Sequence, residues 1–269
     1  MKCDLCPRKC LVDRKKGEKG ICGQTENLKV ARAALHFWEE PCISGDAGSG
    51  AVFFSGCPLH CVFCQNENIA NGTVGKEISL ERLVDIFLEL QEKRANNINL
   101  VTPGHFVPQI VKALDQARKE GLTLPVVYNT SSYETVDTIK MLEGYVDIYL
   151  PDFKYMSPVL SKKYSHAPDY AEVAKAAIAE MVRQTGKAVF VNGDEDNLIL
   201  SGTIVRHLTL PGCMADSMQI LKYLHETYGD MIYISIMNQF TPLSNLEKYP
   251  ELNRRITDEE YETLVDYAI

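Results

Sequence analysis

Three cysteines fall close together in Gly56-Cys57-Pro58-Leu59-His60-Cys61-Val62-Phe63-Cys64-Gln65-Asn66, at a C-x3-C-x2-C spacing. One short loop therefore offers three thiolates, soft ligands that suit iron–sulfur clusters and zinc. A cubane [4Fe–4S] centre ordinarily takes four thiolates, so three leave one iron open to another ligand. Zinc binding or a disulfide would not explain a triad set between a β-strand and an α/β pattern. That strand is Ala51-Val52-Phe53-Phe54-Ser55, a short apolar run that Gly56 lets the chain turn out of. The loop leaves the C-terminal end of a strand, where α/β barrels place their chemistry.

With Phe63 as the aromatic, C-x3-C-x-Phe-C resembles the signature of the radical S-adenosylmethionine (SAM) superfamily, and GCPLHCVFCQN is similar to its pyruvate formate-lyase activating enzyme branch. The resemblance implies a [4Fe–4S] cluster on Cys57, Cys61 and Cys64, with SAM chelating the open iron through its amino and carboxylate groups. It further implies reductive SAM cleavage to a 5′-deoxyadenosyl radical, and Phe63 packed near the adenine.

A second set of thiols lies at the N-terminus: Cys3, Cys6, Cys10 and Cys22, with Gly17, Gly20 and Gly23 supplying turns. Four thiolates suit tetrahedral zinc or a fully ligated auxiliary Fe–S cluster, and spacing alone does not separate the two. Lys2, Arg8, Lys9, Arg14, Lys15, Lys16 and Lys19 outnumber the acidic residues of this segment. They read as a solvated surface, or as a patch that steers an acidic electron donor such as reduced flavodoxin or ferredoxin. The glycine-rich stretch Ile43–Gly50 lacks the Gly-Lys-Ser/Thr of a phosphate loop, and Glu39 and Glu40 are given no role.

Residues 80–90 carry apolar positions at helical spacing after Ser79, an N-cap candidate. Strands follow at 98–102, 124–128, 146–150, 203–210 and 231–236, with a short flanking strand at 188–191 and a turn-rich connection at 192–197. Helices alternate with them, one from about 169 to 185, one opened by Asp216 with Gln219, and a last one opened by a Thr257/Glu260 capping box. Such alternation implies a parallel sheet with right-handed crossovers. The expected architecture is α/β: an incomplete TIM-like (β/α)6 barrel over residues 51–269, which the resemblance also implies, with a cysteine-rich metal-binding extension over residues 1–50.

Composition narrows the function. With 269 residues, 45% of them hydrophobic, the chain can bury one substantial core. A net charge of −8 argues against a general nucleic-acid binder. No apolar run approaches the ~20 residues that span a bilayer, and Met1-Lys2-Cys3-Asp4 is no signal peptide. Nine cysteines without an export signal point to metal ligation in the cytoplasm, with no nucleic-acid or membrane partner.

Polar groups at strand ends are candidate cofactor contacts. Thr102 and Gly104 close the second strand, where the resemblance implies a Gly-Gly-Glu type motif that this chain replaces with Thr102-Pro103-Gly104-His105. His105 is a ligand, a proton donor or a helix cap. Asn129 and Ser131 close the third strand, and Asp152 and Lys154 the fourth; the resemblance places them against the SAM ribose and carboxylate, whereas a structural ion pair explains the last two equally well. Arg206 and His207 must point to opposite faces, Arg206 being the candidate partner of the SAM carboxylate. Asn238, with Gln239, closes the sixth strand and could hold adenine or substrate. Cys213 reads as a small buried hydrophobe.

The expected activity is that of a radical SAM oxidoreductase, most similar to activases that place a glycyl radical on a partner enzyme. Other readings are a radical SAM catalyst acting on a small molecule or peptide, and a metal-dependent binding module built on the four-cysteine site. By this resemblance the activase-related branch extends beyond Ile269, so a truncated C-terminus is an expectation as well.

Overall fold

In the computed structural model, which describes residues 2–194, 197–244 and 246–269, the apolar runs become strands and the 3.6-residue patterns become helices. In chain order the elements are β1 (Lys29–His36), α1 (Pro41–Ser44), β2 (Ser49–Phe54), α2 (Glu67–Ala70), β3 (Lys76–Glu77), α3 (Leu80–Glu92) and β4 (Ile98–Val101). Next come α4 (Val107–Lys119), β5 (Val126–Thr130), α5 (Val136–Lys140), β6 (Ile148–Pro151), α6 (Pro158–Ser165) and α7 (Tyr170–Thr185). The chain ends with β7 (Val189–Phe190), β8 (Ile199–Leu208), α8 (Met214–Tyr228), β9 (Tyr233–Met237) and α9 (Asp258–Ala268). Of the turn-rich connection expected at 192–197, residues 195 and 196 lie outside the described residues.

The sheet runs β3-β1-β2-β4-β5-β6-β8-β7, with β9 also on β8. From β2 through β4, β5, β6, β8 and β9 every pairing is parallel. Strand β1 pairs antiparallel with β2 from Val30↔Phe54 to His36↔Ser49. It covers the edge of β2 away from β4, so residues 29–50 join the sheet and the boundary expected at residue 50 falls inside β2. Parallel strands buried on both faces read as near-continuous apolar runs, and β2, β5 and β6 do so.

Helices α3 and α4 cover one side of the sheet, with Leu83, Phe87, Ile110 and Leu114 packed on Ile98 and Leu100. Ser79 caps α3 by accepting the Arg82 N–H, and Thr257 and Glu260 form the expected capping box on α9. One helical reading needs correction. Asp216 does not open α8: Cys213 is its N-cap, and the Asp216 carboxylate accepts the Met156 and Ser157 N–H groups at 3.0 and 2.7 Å. Helix α5 ends at Lys140. Helix α6, opened by Ser157 and Pro158, has no counterpart in the sequence pattern, since its eight residues carry few apolar positions.

Tyr170, at the start of α7, ties the strand ends together. Its buried hydroxyl accepts the Lys154 N–H at 2.9 Å and lies 2.8 Å from the carbonyl oxygens of both Ser131 and Asp152. Replacing it with phenylalanine strands these buried groups, which costs about 1–3 kcal/mol. Tyr170→Phe should therefore lower the urea midpoint at unchanged m value; an unchanged midpoint would show that the loops hold themselves.

Candidate active site

Gly56 leaves β2 at φ 93°, a left-handed conformation that a side chain would resist, and starts the cysteine loop. Cys57, Cys61 and Cys64 are free thiols, and all three line one cavity of about 590 Å³ at the C-terminal ends of β2, β4, β5 and β6. That size suits a cofactor-scale ligand. The Leu59 N–H points to Cys57 Sγ at 3.5 Å, and the Ser165 hydroxyl lies 2.9 Å from Cys61 Sγ. Burial and the neighbouring Cys61 raise the Cys57 thiol to about 12, and the same two causes push Cys64 upward. Free of disulfides and facing one cavity, the three thiols fit a cluster that takes three protein ligands.

Beneath the loop, Phe63 sits edge-on to Tyr155, Tyr164 and Phe240, with centroids 6.5, 6.4 and 6.0 Å away. It is buried in this aromatic cluster and lies outside the cavity lining. Cys57 and Cys61 pack against the same aromatic cluster, so Phe63 props the loop from below.

Four charges form the opposite wall. Arg206 donates through Nε to Asp152 Oδ1 (3.0 Å), through Nη1 to Glu39 Oε1 (2.7 Å) and through Nη2 to Asn129 Oδ1 (2.8 Å). Lys154 Nζ donates to Asp152 Oδ2 at 2.6 Å, while Asn99 and Asn129 donate to Glu39 Oε2. Burial alone would raise the Asp152 carboxyl, but Lys154 and Arg206 outweigh it and hold it below the usual range. The same pairing outweighs burial for Lys154 and keeps it charged. Two cations and two carboxylates thus neutralise one another in a desolvated wall.

Of the expected contacts, Thr102, Asn129, Ser131, Asp152, Lys154 and Arg206 line the cavity together. Thr102 holds φ 55°, rare for a β-branched residue and the kind of strain that collects at functional sites. Asn238 lines an adjoining pocket with Glu40 and Ser235, while Gln239 reaches the main cavity. His207 turns away from Arg206, bridging the Phe153 carbonyl and Ser217 hydroxyl at 2.7 and 2.9 Å. His105 is buried behind β2 with Nε2 2.7 Å from the Ser55 carbonyl, and burial lowers it to about 4, so it is neutral and off the cavity. Burial raises Cys213 to about 11, which leaves it an inert thiol.

Glu39 was legible only as one of two adjacent carboxylates, because its partners lie 60 to 167 residues away. Glu134 gave no signal either. It is buried, and a Cβ on Gly104 would meet its carboxylate oxygens at 2.4 and 2.5 Å, so only glycine fits there. Gly104 therefore packs on Glu134 and does not face the cavity.

Of the four N-terminal cysteines, Cys22 is buried and Cys3, Cys6 and Cys10 are half-buried. The Cys3 N–H donates to the Val12 carbonyl at 2.9 Å and the Leu11 N–H to the Cys3 carbonyl at 3.0 Å, folding the segment back on itself. The Ile21 N–H points to Cys10 Sγ at 3.3 Å. Burial raises Cys6 to about 12, with Cys22 and Cys10 adding to it; burial likewise raises Cys22, with Cys3 and Cys10 adding. Two members of the expected basic patch point inward. Arg14 is buried and donates to the Thr25 and His105 carbonyls, and Arg8 donates to Pro58, Ser165 and His166 carbonyls.

Residues 51–197 match the profile of the Radical SAM superfamily, more than half of the chain. The chain belongs to the Radical SAM superfamily. Such proteins use a [4Fe–4S] cluster and SAM, and the chain is a radical SAM enzyme. It is 27% identical to the uncharacterized protein MJ0674 of Methanocaldococcus jannaschii over 99% of this chain and 74% of that one. In fold it is similar to HydG, a maturase of the [FeFe]-hydrogenase, with TM-score 0.51, 14% identity and 78% of this chain covered. It is similar too to methylornithine synthase (PylB), with TM-score 0.53, 14% identity and 79% covered. The chain spans 46% of the first of these structures and 59% of the second, and at this identity they speak for the fold alone.

The buried Glu134 gives the radical SAM chain a measurable pH signature. Burial raises its carboxyl from 4.5 to about 7, against the opposing hydrogen bonds of Thr130 and Tyr128. The folded state keeps this proton across that window while the unfolded chain releases it. Its contribution is therefore full below the unfolded value and is lost as pH rises through the folded one, roughly 3 kcal/mol in all. Relative to Glu134→Gln, the wild type should lose that much stability between pH 4.5 and 7 in urea titrations; a pH-independent difference would contradict a protonated Glu134.

Proposed function

We propose that this radical SAM enzyme is activase-like: an oxidoreductase that binds a [4Fe–4S] cluster through Cys57, Cys61 and Cys64 and generates a radical for transfer to a glycyl-radical partner enzyme. When bound and reduced by an external one-electron donor, the cluster would supply the electron that splits the carbon–sulfur bond of SAM, giving methionine and a 5′-deoxyadenosyl radical able to abstract hydrogen. The observation that carries the reading is the convergence of three free thiols and the polar ends of β4, β5 and β6 on one cavity.

The chain's own residues bind, orient and exclude water. We assign Thr102, Asn129, Ser131, Asp152, Lys154 and Arg206 to SAM, with the six parallel strands acting as a partial (β/α)6 barrel. Arg206 is held on three sides by Asp152, Glu39 and Asn129, so it fixes those acceptors in place instead of reaching freely for a carboxylate. Asp152 and Lys154, tied by Tyr170, then present preoriented polar atoms at the cavity wall. Phe53, Phe54, Leu59 and Ile69 form an apolar lining that keeps water out. Trp38, 88% exposed at the cavity rim, offers a platform for a macromolecular substrate. A reduced flavodoxin or ferredoxin is the electron donor in this reading, the N-terminal thiols form a second metal site, and the protein works in the cytoplasm. Among the described residues no helix is long and apolar enough to cross a membrane.

Anaerobic incubation with SAM and a one-electron reductant tests the reading. 5′-Deoxyadenosine and methionine should form in equal amounts, and Cys61→Ala should reduce both to the enzyme-free background. Product formation that survives Cys61→Ala would remove the proposed site. Product that accumulates only with a glycyl-radical enzyme present supports the activase subtype; abstraction from an added peptide or small molecule instead would replace it.

A further inference from the structure

The last turn of α6 is seated on the cysteine loop at two points. The Val62 N–H donates to the Tyr164 carbonyl at 2.9 Å, and the Ser165 hydroxyl lies 2.9 Å from Cys61 Sγ. Arg8 holds this turn from outside by donating to the Ser165 and His166 carbonyls, groups that a helix leaves open at its C-terminus. Ser165 has a second partner, the Tyr155 hydroxyl at 2.7 Å. Both side chains are out of water, Ser165 at 0% and Tyr155 at 1% exposure. Tyr155 stands edge-on to Tyr170 and Phe63, with centroids 5.4 and 6.5 Å away, so its ring has little room to swing.

Donor counting fixes the direction of this chain. A cysteine that ligates iron is a thiolate, and a thiolate can only accept. The single hydroxyl hydrogen of Ser165 then goes to Cys61 Sγ, and Tyr155 must donate to Ser165 Oγ. Each hydroxyl polarises the next, and burial strengthens both contacts. At Cys57 the corresponding contact, from the Leu59 N–H, is longer at 3.5 Å. Hydrogen bonds to ligating sulfurs are among the levers that set the potential of an iron–sulfur centre. They strengthen when an added electron makes the sulfur more negative, so they favour the reduced state.

We propose that Ser165 and Tyr155 are positioning residues that act in series on Cys61 and raise the reduction potential of the centre it ligates, which makes that centre easier for a one-electron donor to fill. This role rests on Cys61 being a cluster ligand. In the step concerned, an external donor is oxidised by one electron and the centre is reduced by one. Both hydroxyl hydrogens stay on their oxygens, and no covalent bond is made or broken. Helix α6 thereby has a chemical task besides packing: its last turn carries the hydroxyl that meets the sulfur.

The test is a redox titration of the full chain, reconstituted anaerobically with iron and sulfide and followed by electron paramagnetic resonance without SAM. The reduced signal that Cys61→Ala lacks identifies the centre. Its midpoint should move to a more negative potential in Ser165→Ala, and by a smaller step in the same direction in Tyr155→Phe. A midpoint in Ser165→Ala that is unchanged or more positive would overturn the proposal while leaving the cluster in place. A shift in Ser165→Ala with none in Tyr155→Phe would overturn the action in series. Should Ser165→Ala fail to assemble the centre, Tyr155→Phe decides alone, since its aromatic ring still fills the site. A wild type with no signal that depends on Cys61 would overturn the ligand reading itself, so the two failures are told apart. The midpoint is read without SAM cleavage, and a purely structural role for α6 would not move it.

Discussion

Everything in this structure depends on holding three thiols at one cavity while denying the centre they would bind a fourth protein ligand. A loop that was free to move could pair its cysteines or offer another side chain, so its rigidity is part of its chemistry. That rigidity comes from both sides. Phe63 is clasped from below by Tyr155, Tyr164 and Phe240, while Arg8, Ser165 and His60 fasten the loop's backbone and sulfur from outside. The N-terminal segment is thereby a brace for the active-site loop.

The second constraint is electrostatic. A cavity meant for a charged nucleotide needs polar walls, yet unpaired buried charge is costly. The chain resolves this by pairing Arg206 and Lys154 with Asp152 and Glu39 before any ligand arrives. Tyr170 then fixes the backbone on which those groups stand. The result is a preorganised wall, neutral in sum, whose polar atoms require little rearrangement on binding.

Much of this was legible in the sequence because the signals are local. Cysteine spacing, apolar runs bounded by glycine and proline, and the Thr257/Glu260 box each lie within a few residues, and each has its counterpart in the structure. What escaped notice depends on distance. Arg8 meets His166 across 158 residues, and Glu39 meets Arg206 across 167; no periodicity marks such partners. Asp216 shows how a correct local pattern can mislead: it has the chemistry of a helix cap, but the turn before α6 claims its carboxylate.

The central claim is that the Cys57, Cys61 and Cys64 centre is completed by SAM and not by the protein. Electron–nuclear double resonance of the reduced, reconstituted enzyme with SAM bearing ¹⁵N in its amino group reads this directly. The expected result is a strong hyperfine coupling of the cluster to that nitrogen, showing direct iron–nitrogen contact. A cluster that forms in full but shows no coupling to bound, labelled SAM would contradict it.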